Sequence, residues 1–216
     1  MAETIPSSSQ LTKYWDASAT SKDFAHPIPQ HLLEAYFPAK ANVLDVGCGY
    51  GRLASVLSAM DFQVSGTDTS SAMLTEARKN APNCEFRECC DGELPYDDDV
   101  FNVAIAITLF TSVPSDIDQR QLISEIKRVL KPSGVLFISD MPLQWTTRYL
   151  SRYQKGQKRY GQYGVFDLEG GGVVRHHELD YFMQLTSDFT PLLMEPHEVV
   201  TMNGNQAQAI RFVGQL

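Results

Sequence analysis

The sequence has no long apolar run. Nowhere in its 216 residues does a stretch approach the roughly 20 apolar residues that a membrane-spanning helix requires. Met1 to Gln10 is Ser-rich and lacks a basic start followed by an apolar core, so it reads as a flexible tail and not as an export signal. Cysteine is scarce. The four present are Cys48, Cys84, Cys89 and Cys90; no pair has metal-ligand spacing, and adjacent Cys89 and Cys90 would bridge only with strain. Neither a metal site nor a disulfide framework is expected, and a reducing, cytoplasmic setting is. Basic charge is in the minority: 18 Lys and Arg against 26 Asp and Glu give a net charge of -8. A chain this acidic is repelled by a phosphate backbone, which argues against general nucleic-acid binding but leaves room for one local basic patch.

What is present is the composition of a folded domain, with 43% hydrophobic and 20% charged residues. Leu11 to Phe37 reads as one or two helices interrupted by Pro27 and Pro29. Asn42 to Val46, Phe62 to Thr67, Cys84 to Glu88, Phe101 to Thr108 and Val135 to Ser139 read as strands. The run from Phe101 is nearly all apolar, as befits a central parallel strand buried on both faces. Helices are expected over Leu53 to Met60, over the segment through Lys79 that Thr69, Ser70 and Ser71 can cap, and over Asp116 to Lys131. Strands alternating with helices imply a parallel sheet with right-handed crossovers. Residues 141–175 break the rhythm with a cluster of aromatic residues and a Gly170–Gly172 turn that suggests a hairpin. Glu178 to Phe189 reads as helix, and Leu192 to Thr201 and Gln206 to Val213 as strands joined through Asn203-Gly204.

The strongest chemical signal is Val43-Leu44-Asp45-Val46-Gly47-Cys48-Gly49-Tyr50-Gly51, where a strand runs into three glycines and then a helix. Glycines allow a sharp turn and close backbone approach, and a helix N-terminus offers N–H groups to an anion. A dinucleotide site wants its third glycine one position later, where Arg52 stands, and has no use for Asp45, which would repel a pyrophosphate. A zwitterionic or cationic ligand would be attracted by it.

This stretch resembles the first motif of the class I S-adenosylmethionine-dependent methyltransferases. Gly66-Thr67-Asp68-Thr69-Ser70, Leu94-Pro95-Tyr96 with Phe101-Asn102-Val103, and Arg128 to Gly134 match that family in order, over about residues 40–140. The resemblance implies a doubly wound α/β fold: a mostly parallel, seven-stranded sheet closed by a C-terminal antiparallel hairpin. It implies one methyltransferase domain over residues 11–216, with residues 11–38 as an N-terminal helical cap and 141–175 as a lid-like insert. It implies S-adenosylmethionine as cofactor, with Asp68 on the ribose hydroxyls and Met73 on the adenine. Cys90 stands where the family usually has the acid that meets the adenine amino group, and Asp91 is its neighbour. The further cofactor contacts implied are Asp45, Gly47, Cys48, Gly49, Gly51, Thr69, Gly92 and Thr108.

The acceptor is approached by elimination. Thr108-Leu109-Phe110-Thr111 is not the Asn-Pro-Pro-Tyr type of run that serves amino methylation of bases or glutamine amides, and no Pro-Cys pair is present. No second carboxylate set suggests a magnesium site. A small molecule attacked through O, N or S is the leading acceptor class. A non-catalytic S-adenosylmethionine-binding module and a protein or RNA methyltransferase are the alternatives. The aromatics of the insert either form a lid or pack the insert down. Arg148, Arg152, Lys155 and Arg159 share one helical face, with no acid between residues 142 and 163; this is a solvated face or a seat for an anionic acceptor. His26, His176 and His177 are the candidate general bases, with His26 and His177 favoured, and His31 and His197 read as surface positions.

Overall fold

The computed structural model describes residues 2–19, 27–90 and 92–216. In chain order the elements are α1 (Ser8–Ser18), α2 (Gln30–Tyr36), β1 (Asn42–Val46), α3 (Arg52–Ser58), β2 (Gln63–Asp68), α4 (Ser71–Asn80), β3 (Glu85–Glu88) and β4 (Phe101–Ile107). There follow α5 (Leu109–Ser112), α6 (Asp116–Val129), β5 (Leu130–Asp140), α7 (Thr147–Tyr160), β6 (Val165–Asp167), β7 (Val173–Arg175), α8 (Leu179–Leu185), β8 (Thr190–Val200) and β9 (Gln206–Gln215).

Seven strands form one sheet in the order β3-β2-β1-β4-β5-β9-β8. The pairings from β3 to β5 are parallel, whereas β9 runs antiparallel to both β5 and β8. This is the doubly wound α/β class with a C-terminal antiparallel hairpin. Side chains alternate between the two faces of a strand, and the core divides accordingly. Val43, Val103, Ile105 and Phe137 pack one face against Leu33, Leu53, Leu57 and Leu74 of the helices. Leu44, Ala104, Ala106, Leu136 and Ile138 pack the other against Leu122, Ile126, Val129 and Phe182. Parallel order between β1 and β4 aligns their C-terminal ends, and the glycine turn leaves the sheet there.

The order also reverses between these two strands. From β1 the chain moves outward to β2, whereas the strand on its other side is β4, and in such sheets this is where a crevice opens.

α6 carries acids Asp116 and Asp118 in its first turn and Lys127 and Arg128 in its last, matched to the helix dipole. It ends at Val129, two residues before the expected end, because Leu130 is already extended and pairs with Phe101.

Two differences from the sequence reading concern the termini of the cleft. The segment read as a tail through Gln10 turns into helix at Ser8. The Ser8 N–H donates to the Asp118 carboxylate of α6 at 3.0 Å, and Gln10 caps the turn by accepting from the Ser7 N–H at 2.8 Å. Glu3 pairs with Arg159, so the residues before α1 lie against α7. Within 141–175, a helix of fourteen residues, α7, stands beside the expected hairpin β6–β7. Gly156 lets them meet: a Cβ there would overlap the Val165 carbonyl oxygen. Among the described residues no helix is long and apolar enough to cross a membrane.

Candidate active-site cleft

The sharp exit of the chain from β1 is made by Gly47, Gly49 and Gly51, all in the left-handed region at φ 69°, 53° and 78°. Their roles differ. Gly47 and Gly49 line a cleft at the C-terminal end of the sheet, together with Asp45, Cys48, Asp68, Thr69, Met73, Gly92 and Thr108. Gly51 does not. A Cβ there would stand 2.9 Å from the Ala77 Cα of α4, so this glycine lets α3 and α4 pack closely. The anion seat expected of the turn is also partly used by the protein itself. The Gly49 N–H donates to Asp68 at 2.9 Å, and the Cys48 N–H donates to the Thr67 carbonyl at 2.8 Å.

Two carboxylates face the turn. Asp45, at the end of β1, is only 3% exposed. Burial pushes its acid up to about 7, Arg52 pulls it down, and Asp68 raises it further. Asp68 ends β2, and its carboxylate accepts from the Ser70 N–H at 2.9 Å as well as from Gly49. Burial raises it too, opposed by those N–H donors. Met73, buried on α4, follows the Ser70 hydroxyl that caps that helix. Asp16 of α1 accepts from the same hydroxyl at 2.6 Å, and so fixes α1 over this end of the cleft.

The loop after β3 corrects one expectation. Cys90 is exposed and lies outside the cleft lining, whereas Cys89 faces the cleft beside Gly92 and Leu94. The Glu93 N–H donates to the Cys90 carbonyl at 3.0 Å, so a turn begins at Cys90 and carries its side chain away from the cleft. Asp91 lies outside the described residues, as does His26.

His177 is a second correction. It is 2% exposed, is absent from the cleft lining, and stacks on Tyr181 at 5.7 Å. Its Nε2 lies 2.8 Å from the Gln119 amide, and burial lowers its pKa to about 3. Such a group has no route to a substrate and no tendency to take a proton. His176 does line the cleft, and its Nδ1 lies 2.7 Å from the Tyr153 hydroxyl. That hydroxyl accepts from the Gln144 N–H at 3.0 Å, which leaves its own proton for His176. Burial, with the charge of Arg152, lowers His176 to about 3, so the imidazole is neutral. His31 is exposed as expected. His197 is only half-buried and meets Ser139 at 3.1 Å.

The far side of the cleft is built by Ser8 and Trp15 of α1, by Arg148, Tyr149 and Arg152 of α7, by Phe166, Leu168 and Val174 of the hairpin, and by Thr201 to Asn203 with Asn205 of the β8–β9 turn. The insert's aromatics therefore divide. Tyr149 and Phe166 face the cleft, Tyr153 and Tyr160 pack inside, and Trp145 is 75% exposed. The basic face divides as well: Arg148 and Arg152 reach the cleft, whereas Lys155 is exposed and Arg159 pairs with Glu3 and Asp167.

Asp140 went unnoticed in the sequence. It ends β5, is fully buried, and accepts from the N–H groups of Phe110 at 2.8 Å, Thr111 at 3.1 Å and Met141 at 2.7 Å. Burial holds its acid up to about 6. It fixes α5, whose Leu109 packs against Gly47. An acid closing an apolar strand was the available signal.

Residues 43–134 match the family model of a methyltransferase domain. The chain is 38% identical over 99 residues to a demethylmenaquinone methyltransferase of Chlorobaculum tepidum, covering 45% of this chain and 40% of that one. It is 30% identical over 147 residues to a ubiquinone biosynthesis O-methyltransferase of Actinobacillus pleuropneumoniae, covering 59% of each. It thus spans between 40% and 59% of the length of these relatives. In fold it is similar to the crystal structure of a methyltransferase from Methanosarcina mazei, with a TM-score of 0.83 at 24% identity over 88% of this chain and 98% of that one.

Proposed function

We propose, for a chain that belongs to the class I S-adenosylmethionine-dependent methyltransferases, that it moves a methyl group to an O, N or S atom of a small molecule. The observation that carries this reading is one cleft with two unlike halves. Buried Asp45 and half-buried Asp68 flank a glycine turn at one end, and a roof of Tyr149, Phe166 and His176 lies at the other. The relatives named for quinone biosynthesis support an acceptor with a ring in it.

The residues present fit the cofactor. Asp68 spends its hydrogen bonds on two backbone N–H groups, and a carboxylate has about four acceptor positions, so it can also take the two ribose hydroxyls. Asp45 supplies a negative charge in a dry setting, where it attracts the cofactor's ammonium and sulfonium strongly. Met73, with Cys89 and Leu94, supplies the apolar slot for the adenine. When bound, the cofactor supplies an electrophilic methyl group. The protein's task is to hold the acceptor atom in line with it and to keep water out. Holding two reactants in the right geometry supplies about 7–11 kcal/mol of barrier reduction. His176, which faces the cleft, is held neutral with a pKa of about 3, so it contributes to holding the acceptor and not to taking its proton.

Two measurements test this. Calorimetry should show saturable binding of S-adenosylhomocysteine and none of NAD. Labelled S-adenosylmethionine, incubated with a metabolite library, should then yield a labelled small molecule. Binding without transfer to any compound would favour a non-catalytic module, and binding of NAD alone would remove the reading.

A further inference from the structure

Three buried or half-buried arginines elsewhere in this molecule hold carboxylates. Arg128 pairs with Glu125 and Asp98, Arg175 with Asp116, and Arg211 with Glu195. Arg159, on the exposed part of α7, pairs with Glu3 and Asp167. Arg148 and Arg152 differ. Both line the cleft, and among the described residues neither forms an ion pair. Their own segment offers no partner, since residues 142–163 contain no Asp or Glu. In a chain of net charge -8, two cations without an acid at the mouth of a cleft call for an explanation.

The surroundings define what would satisfy them. The Arg152 guanidinium lies 5.4 Å from the ring centre of Phe166 and 5.9 Å from that of Tyr149. His176 closes the same wall, 5.0 Å from each of those rings. Arg148 stands further out, where it donates to the Asn205 side chain of the β8–β9 turn. The wall is thus an aromatic corner, with Phe166 set edge-to-face at 71° to Tyr149 and 88° to His176, one guanidinium laid over it and another at its rim. A guanidinium beside aromatic rings is partly stripped of water, and its planar fork matches the two oxygens of a carboxylate.

We infer that the acceptor half of this cleft takes a planar, aromatic carboxylate, with the ring on Tyr149, Phe166 and His176 and the carboxylate on Arg152 and Arg148. This rests on the methyltransferase reading of the same cleft. The cleft is then bipolar. Its acidic end, at Asp45 and Asp68, receives the cationic cofactor, and its basic end receives the anionic acceptor. The carboxylate is the handle, because pairing with a guanidinium makes it a poorer nucleophile; the methyl group goes to another heteroatom of the same molecule.

The test uses the whole chain loaded with S-adenosylhomocysteine. Benzoate and 2-naphthoate, each beside its methyl ester, are titrated to about 10 mM by ligand-observed NMR, a range that registers even millimolar affinities. The acids should bind about tenfold tighter than their esters, as one charge-assisted pair predicts. Arg152→Gln should erase that preference while leaving S-adenosylhomocysteine affinity and ester binding unchanged, and Arg152→Lys should keep part of it. Equal binding of acid and ester, no binding of either acid, or an undiminished preference in Arg152→Gln would each overturn the proposal. Calorimetry with S-adenosylhomocysteine on the same samples keeps the two readings apart. Normal cofactor-product binding without acid preference removes only the anion seat, whereas its absence removes the methyltransferase reading itself.

Discussion

At the scale of single residues, the side chains proposed to hold the cofactor and those proposed to hold the acceptor are brought to the cleft in different ways. Asp45, Asp68 and Met73 sit at fixed offsets from strand ends, and such offsets are local, so a motif carries them. Whether Cys89 or Cys90 faces the cleft depends on where the loop after β3 turns, and whether Gly51 meets a ligand or Ala77 depends on how α3 packs on α4. Neither is local. For Asp68→Ala, loss of even one charge-assisted bond of about 1.5–3 kcal/mol should weaken S-adenosylhomocysteine binding at least tenfold by calorimetry. An unchanged dissociation constant would show that Asp68 does not hold the ribose. His177→Ala should behave oppositely. It removes a buried ring stacked on Tyr181 and bonded to Gln119, which should destabilise the fold by about 2–4 kcal/mol. Turnover per folded molecule should stay near normal. A large fall in turnover at an unchanged melting temperature would restore His177 as a catalytic group.

At the scale of elements, the apolar strands and α6 were legible because periodicity and caps agree there. The helix α7 was visible only as a basic face. Its buried stripe is Tyr149, Tyr153, Gly156 and Tyr160, where a glycine and three polar-tipped rings stand in place of aliphatic residues, so the apolar period was hard to see. Its place over the cleft predicts behaviour. The insert meets the body through Tyr14 at Gly172, Leu143 at His177, Gln144 at Gln208, Arg148 at Asn205 and Arg175 at Asp116, but its β6–β7 hairpin takes no part in the hydrogen-bonded ladder of the central sheet. Hydrogen exchange over residues 147–175 should therefore be faster than in β1 and β4 of the free protein, and should slow when cofactor and acceptor are both bound. Protection already equal to that of the central strands would mean the insert is a fixed wall. Gly156→Ala should separate α7 from β6, because the new methyl group meets the Val165 backbone and not a movable side chain. The expected result is a loss of about 1–3 kcal/mol of stability with S-adenosylhomocysteine affinity preserved. Weakened binding of the product would instead tie α7 to the cofactor end.

At the scale of the whole molecule, the cleft is where stability is given up for function, and pH exposes the exchange. The Asp45 acid titrates at about 7 in the folded protein, against about 3.9 in an unfolded chain. The folded state therefore keeps a proton that the unfolded state has released. The stability this gives is fully present below about pH 4 and is lost as pH rises through 7. His176 and His177 act the other way. Both are lowered to about 3, so their contribution is present above about 6.5 and is lost as pH falls. These opposing slopes mask each other in the wild-type protein, and Asp45→Asn separates them. At pH 5 Asp45 is protonated in the folded protein but already ionised in the unfolded chain, so the variant should be ahead by only about 1.5 kcal/mol. At pH 8 the wild type carries a dry carboxylate and the variant does not, so the variant should gain about 2–3 kcal/mol more relative to the wild type. Cofactor binding should move in the opposite sense. Only the ionised acid attracts the ammonium of S-adenosylhomocysteine, so wild-type affinity should rise about tenfold per pH unit from pH 5 toward 7 and level off above. The variant should bind weakly at every pH, without that slope. A variant that gains stability at pH 8 and still binds as the wild type does would separate Asp45 from the cofactor. One that shows no relative gain would mean that water or Arg52 already satisfies the carboxylate in the free protein.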